Sequence, residues 1–308
     1  MATLMARTGG RSGNVSLMGK KIQPDMQLRA GIPEDAEVCG RICYEAFKTF
    51  ADHHNFPTEI PTPEFSVGIV SMMLSHPGFY SVVAEREGEV IGSNYLDERG
   101  LIGGVGPVTV DPKAWDSGIG RVLMRDVVDR AATRGMPGVR LNTASHHGRS
   151  VTLYSKVGFQ VREPLVVMQG PQVRTKIPGT AVRPATESDL EASNRVCTMV
   201  HGHDRGAEIQ DAIVQSSAFV VERGGRITGY TTGATFFGHT VGETNDDLKA
   251  LIAATPEYLG PGFLLPIRNQ ELFMWCVTNG LRIVIPMTHM SLGLYNEPQG
   301  AFLPGVLY

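Results

Sequence analysis

Val108-Thr109-Val110-Asp111-Pro112-Lys113-Ala114-Trp115-Asp116-Ser117-Gly118-Ile119-Gly120-Arg121-Val122-Leu123 is the stretch on which the fold turns. Its first three residues close a strand, and Asp111-Pro112 stops that strand because proline has no N–H to give a ladder. A glycine-containing loop follows. Ile119, Leu123, Val127 and Ala131 then recur at four-residue steps on one helical face, and Gly135 with Pro137 ends the helix. The first N–H groups of such a helix have no internal acceptors. Together with the positive end of the helix dipole they form an anion site suited to a diphosphate. Gly118 and Gly120 carry no β-carbon, so phosphate oxygens can approach the backbone, and Arg121 adds a charge at the rim. Two rival phosphate motifs are excluded. The dinucleotide fingerprint needs a third glycine where Leu123 stands, and the P-loop needs a Gly-Lys-Ser/Thr that the stretch lacks.

Working outward, Tyr80 to Glu85 and Val90 to Leu96 flank the polar turn Arg86-Glu87-Gly88-Glu89 and read as a hairpin. Gly103-Gly104-Val105-Gly106-Pro107 reads as a bulge in the fourth strand. After the helix, Val139 to Asn142 is a short strand, Ser150 to Lys156 a short helix and Gln160 to Met168 a final strand. An internal repeat extends this plan. Leu28-Arg29-Ala30-Gly31-Ile32-Pro33-Glu34-Asp35 returns as Val182-Arg183-Pro184-Ala185-Thr186-Glu187-Ser188-Asp189, and Val83-Ala84-Glu85 as Val220-Val221-Glu222. The spacing predicts an α+β chain of two tandem domains, each a mixed, mostly antiparallel sheet flanked by helices. Residues 1–27 read as a flexible leader, 28–169 as the first domain, 170–181 as a linker containing Pro and Gly, and 182–308 as the second domain.

Val108-x-Val110-x-Pro112, then Gly118-Ile119-Gly120-Arg121-Val122-Leu123-Met124, then Leu153-Tyr154-Ser155-Lys156-Val157-Gly158-Phe159 resembles the GNAT superfamily of acyl-CoA-dependent N-acetyltransferases. The resemblance covers the first domain, and Trp115 stands where the family usually has Gln or Arg. It implies a splayed gap between the fourth and fifth strands that takes the pantetheine arm of acetyl-CoA, or another short acyl-CoA, like an added strand. Backbone groups of Val108, Thr109 and Val110 would then hold the arm. The loop Trp115, Asp116, Ser117, Gly118, Ile119, Gly120 and Arg121 would hold the diphosphate, with Ser150 adding a contact. Transfer from a thioester leaves a thiolate, and a phenol of pKa near 10 can protonate it as general acid. The resemblance places Tyr154 in that role.

An amine acceptor must also lose a proton. Asp97, Glu98, His53, His54, His146 and His147 are candidate bases, with a water chain as the alternative. Other features read as structure. Cys39 and Cys43 are four apart on a helical face, which suits a core pair, and His201-Gly202-His203-Asp204 has no further ligand cluster to make a metal site. In the second copy a short strand is expected to end at Gly229, and no Gly-x-Gly follows Ile227 to Phe237. Glu243, Asp246 and Asp247 stand there, and they would repel a diphosphate. Asn269 to Leu281 echoes the short helix of the first copy, with Trp275 at the aromatic position. The second copy is therefore expected to lack cofactor binding and to wall the acceptor pocket.

Composition narrows the field further. The chain has 308 residues, 42% hydrophobic and 19% charged, as ordinary globular enzymes do. A formal charge of −3 with no basic stripe gives no nucleic-acid partner. No apolar run approaches the roughly 18–20 residues that span a bilayer. Four dispersed cysteines fit neither a disulfide framework nor a zinc site and suit a reducing cytoplasm. The sequence thus points to acetyl transfer from acetyl-CoA to a primary amine on a small molecule, by direct attack. Two rivals are a non-catalytic acyl-CoA sensor and a pure interaction module. The reading leaves room for a homodimer.

Overall fold

The structure, a computed structural model, describes residues 26–307. The leader expected over residues 1–27 lies outside these except for Met26 and Gln27, which open the first strand. The first half runs β1 (Met26–Ala30), α1 (Ala36–His54), α2 (Pro63–Ser75), β2 (Phe79–Arg86), β3 (Glu89–Asp97), β4 (Ile102–Val105), β5 (Thr109–Val110), α3 (Ile119–Thr133), β6 (Gly138–Ala144), α4 (Gly148–Val157) and β7 (Gln160–Gln169). The second half runs β8 (Thr180–Pro184), α5 (Leu190–His201), α6 (Gly206–Val214), β9 (Phe219–Arg223), β10 (Arg226–Thr231), β11 (Thr240–Gly242), α7 (Asn245–Ala254), β12 (Phe263–Pro266), α8 (Gln270–Thr278), β13 (Arg282–Gly293) and β14 (Ala301–Leu303).

The repeat read from sequence is one structural unit built twice. Leu28 pairs with Ala84 across β1–β2, and Val182 pairs with Val221 across β8–β9. Arg29 bridges Asp35 and Glu85, and Arg183 bridges Asp189 and Glu222 in the same way. Each arginine thus ties the start of a helix to the neighbouring strand, which explains why Arg, Asp and Glu recur at matching places. The stripe on α3 also follows the spacing. Ile119, Leu123, Val127 and Ala131 are all buried, joined by Met124. Burying a Leu- or Val-sized side chain contributes roughly 1.5–3 kcal/mol, so this stripe seats the helix on the sheet.

The two sheets do not divide at the expected linker. One is nine-stranded, in the order β1-β2-β3-β4-β6-β13-β7-β12 with β5 on β3; the other is β14-β11-β10-β9-β8. The halves exchange strands. β13 of the second half lies between β6 and β7 of the first, and β7 lies between β13 and β12 of the second. The segment 170–179 joining the halves is coil, pinned by the buried Val173 against Tyr258.

Two local expectations change. The short strand expected to end at Gly229 runs on to Thr231, where Thr231 and Thr232 turn their hydroxyls onto a loop closed by His239. The bulge expected at 103–107 is a full interruption, with β4 ending at Val105 and β5 beginning at Thr109.

Candidate active site

β4 and β6 run parallel, with Ile102, Gly103 and Gly104 opposite Gly138, Val139 and Arg140. Past that point the strands part. Thr109 and Val110 pair with Ser93 and Gly92 of β3, while among the described residues the edge of β6 from Leu141 to Ala144 that faces them pairs with no strand. Asp111 N–H donates to the Ile91 carbonyl at 2.9 Å. Because alternate residues of an antiparallel ladder face the partner, Thr109 turns to β3 while the peptide groups of Val108 and Val110 turn to the gap. One of these is taken: the Trp115 indole N–H donates to the Val110 carbonyl at 2.8 Å. The backbone groups left to bind a strand-like ligand are therefore both those of Val108 and the N–H of Val110.

The loop ends at the N-terminus of α3. Gly118 is its N-cap, at φ +90°, and no side chain caps the helix there. Ser117 Oγ donates instead to the Ala114 carbonyl at 2.5 Å. The N–H groups of Ile119 and Gly120 are left to face the cavity, with the Arg121 side chain close to Gly118. Arg149, which the sequence reading passed over, stacks on Trp115 at 5.2 Å and pairs with Asp116 at 2.7 Å. Trp115 thus anchors the loop at one edge and carries a cation at the other.

Tyr154 on α4 lines the same cavity, of about 1420 Å³, as this loop, the parted strands and Ser150. Burial pushes its phenol above the usual range, only partly offset by the Ser150 hydroxyl one turn earlier, so it holds its proton at neutral pH. The base candidates fare differently. Asp97 is bound to Arg99 and Glu98 to Arg130, and neither lines the cavity. His147 caps α4, its Nδ1 accepting from Ser150 N–H at 2.9 Å, and burial lowers it to about 4. His146 lies between Phe50 and Phe56 and is also lowered by burial. His53 and His54 line the cavity as exposed side chains at the end of α1. His201 and His203 pack near each other in the second half and do not line the cavity.

One acid was missed. Glu59, in the loop between α1 and α2, is 5% exposed and lines the cavity. Burial pushes its carboxyl up to about 7. In sequence it is a single acid in Pro57-Thr58-Glu59-Ile60-Pro61, with no periodicity to say which way it points.

The second half supplies the opposite wall. Arg99 reaches Asp211 of α6 at 2.7 Å, and Phe236, Phe237, Met287 and Val306 line the cavity. The chain's last described residues lie across the point where the strands part. Asn142 of β6 donates to the Gly305 carbonyl at 2.7 Å, and the Leu307 carbonyl packs so closely on Gly104 of β4 that a β-carbon there would lie 2.0 Å from it. The second half has no equivalent anion loop. At the start of α7 the buried Asp247 carboxylate accepts from Thr244 N–H and from Thr228 Oγ1, and pairs with Arg223. Counted from the two caps, His147 and Asn269, the residue matching Tyr154 is Cys276 rather than Trp275, and it is fully buried.

Residues 42–159 match the model of the Acetyltransferase (GNAT) family. Over 93 residues, 30% of this chain, the sequence is 33% identical to a protein of Azospirillum brasilense named an IAA acetyltransferase. The match spans 61% of that relative's length. Among solved structures, a putative acetyltransferase from Pyrococcus horikoshii superposes with a TM-score of 0.70 at 15% identity, over 92% of this chain and 95% of that one. A tandem GNAT protein from the clavulanic acid biosynthesis pathway superposes with a TM-score of 0.53 at 12% identity, over 87% and 98%. These two likenesses span both halves and show that the whole chain shares their fold.

Proposed function

We propose that this chain, whose residues 42–159 match the GNAT acetyltransferase family model, moves an acetyl group from acetyl-CoA to a primary amine of a small molecule, by direct attack. The observation that carries the reading is the meeting of three features in one cavity: the parted strands, the uncapped start of α3 and the buried Tyr154. The Val108 peptide and the Val110 N–H bind the pantetheine arm, and the Ile119 and Gly120 N–H groups bind the diphosphate, with Arg121 and Arg149 at the rim. The arm is thereby fixed, and binding energy far from the reacting carbon orients the thioester. The amine attacks the carbonyl carbon, the C–N bond forms and the C–S bond breaks. Tyr154 gives its proton to the departing thiolate and regains one from the attacking nitrogen. Residues 182–308 bind no second acyl-CoA and wall the acceptor side.

Free-thiol release from acetyl-CoA, followed with a panel of primary amines, tests this. The wild type should release thiol in an amine-dependent way. Tyr154→Phe should lower kcat by roughly 10²–10⁴-fold, the usual range for a general acid, with CoA affinity unchanged. A wild type that binds acetyl-CoA yet releases no thiol with any amine would instead indicate a sensor.

A further inference from the structure

Glu59 is buried without a counter-ion. It makes no ion pair with any described residue, and the titratable neighbour it acts on is Cys43 of α1, whose thiol burial pushes up to about 12 and so keeps neutral. Ser66 of α2 faces Cys43 as a neutral hydroxyl. Burial therefore favours the protonated carboxyl, and an ammonium entering the cavity is the partner that would favour the ionised form. α1, which carries Cys43, also packs on β5 beside the parted strands. Cys39, one helical turn before Cys43, bonds Ser93, whose Oγ lies 3.3 Å from Thr109 Oγ1 of β5.

The surroundings of Glu59 are apolar. Phe47, Ile60, Ile69 and Met73 line the cavity beside it, and Met72 and Phe237 present apolar side chains at 44% and 42% exposure. The imidazoles on this side are His53 and His54, exposed at the end of α1, and His76, which faces Asp211 at 3.4 Å. Arg99 is held by Asp97 and Asp211, while Arg121, Arg149 and Lys156 belong to the α3 and α4 end. Glu208 of α6 is matched by Arg205.

We propose that the acceptor is a primary amine on an apolar body, with no carboxylate or phosphate, and that Glu59 receives its ammonium and takes the first proton. This rests on the acetyl-transfer reading above. The ammonium gives one proton to the Glu59 carboxylate, the free amine attacks, and Glu59 later releases that proton to water. The net products are the acetamide, CoA thiol and one proton.

A homologous series from butylamine to octylamine should show kcat/KM rising about three- to fourfold per added methylene while the chain stays in the cavity. Spermidine, free amino acids and aminoglycosides should trail octylamine by at least tenfold. In the wild type kcat/KM should fall below an inflection near pH 7 at the same place for octylamine and for benzylamine, whose own pKa values differ. That common position marks an enzyme group that must be ionised. Glu59→Gln should remove the inflection and lower kcat/KM at pH 8 by about 10²-fold or more, with CoA affinity intact, while Glu59→Asp keeps an inflection at reduced rate. A flat methylene series, a preference for polyamines or amino acids, or an inflection that survives Glu59→Gln or tracks the amine overturns the proposal and leaves acetyl transfer standing. Absence of thiol release with every amine removes both. If Glu59→Gln does not fold, the position of the wild-type inflection with the two amines decides.

Discussion

Trp115 shows how a departure from a family pattern can be read at the scale of one residue. Its indole donates to the Val110 carbonyl, so it fixes the loop from the strand side while Arg149 rides on its ring. Gly118 is the position where the loop depends on glycine. At φ +90° an alanine would cost about 1–2 kcal/mol, although nothing crowds the space its β-carbon would fill. Gly118→Ala should therefore weaken CoA binding about tenfold by calorimetry, equivalent to about 1.4 kcal/mol. An unchanged Kd would count against a diphosphate at this turn. Tyr154, Gly118 and Gly120 stand out in the sequence because motif order along the chain marks them, and all three line the cavity. Glu59 does not, because only packing turns a loop acid inward and strips it of water.

At the scale of elements, α3 and α7 are the same helix in the two repeats with opposite N-termini. The start of α3 has no side-chain cap and opens on the cavity, whereas α7 carries the Asp247 carboxylate inside the turn, bonded to Thr244, Thr228 and Arg223. A negative charge already satisfies the dipole there, so a phosphate gains nothing by approaching. Thr244→Ala should lower stability by about 1–2 kcal/mol, read from denaturant midpoints, and leave CoA affinity unchanged. A change in CoA affinity would mean that the second half also binds it. The three acids were visible in the sequence; that one of them is a buried, bonded group was not.

At the scale of the whole molecule, the exchange of β7 and β13 makes each half incomplete alone. Buried contacts cross the boundary as well. Arg99 of the first half holds Asp211 at 2.7 Å and reaches Glu208 at 4.0 Å, both on α6 of the second. The halves should therefore unfold together. The chain has two tryptophans, Trp115 in the first half and Trp275 in the second. Trp275→Phe and Trp115→Phe variants should each show one fluorescence transition in urea, both coincident with far-UV circular dichroism. Separate midpoints for the two reporters would mean independent domains. The repeat, the α3 stripe and the glycine loop could be read from the order of residues alone, because each shows as a local pattern along the chain. Tertiary structure decided the strand exchange, the wall formed by the second half and the chain's end, and the burial of Glu59. These depend on which distant segments share a sheet or a cavity, and no period in a single chain encodes that.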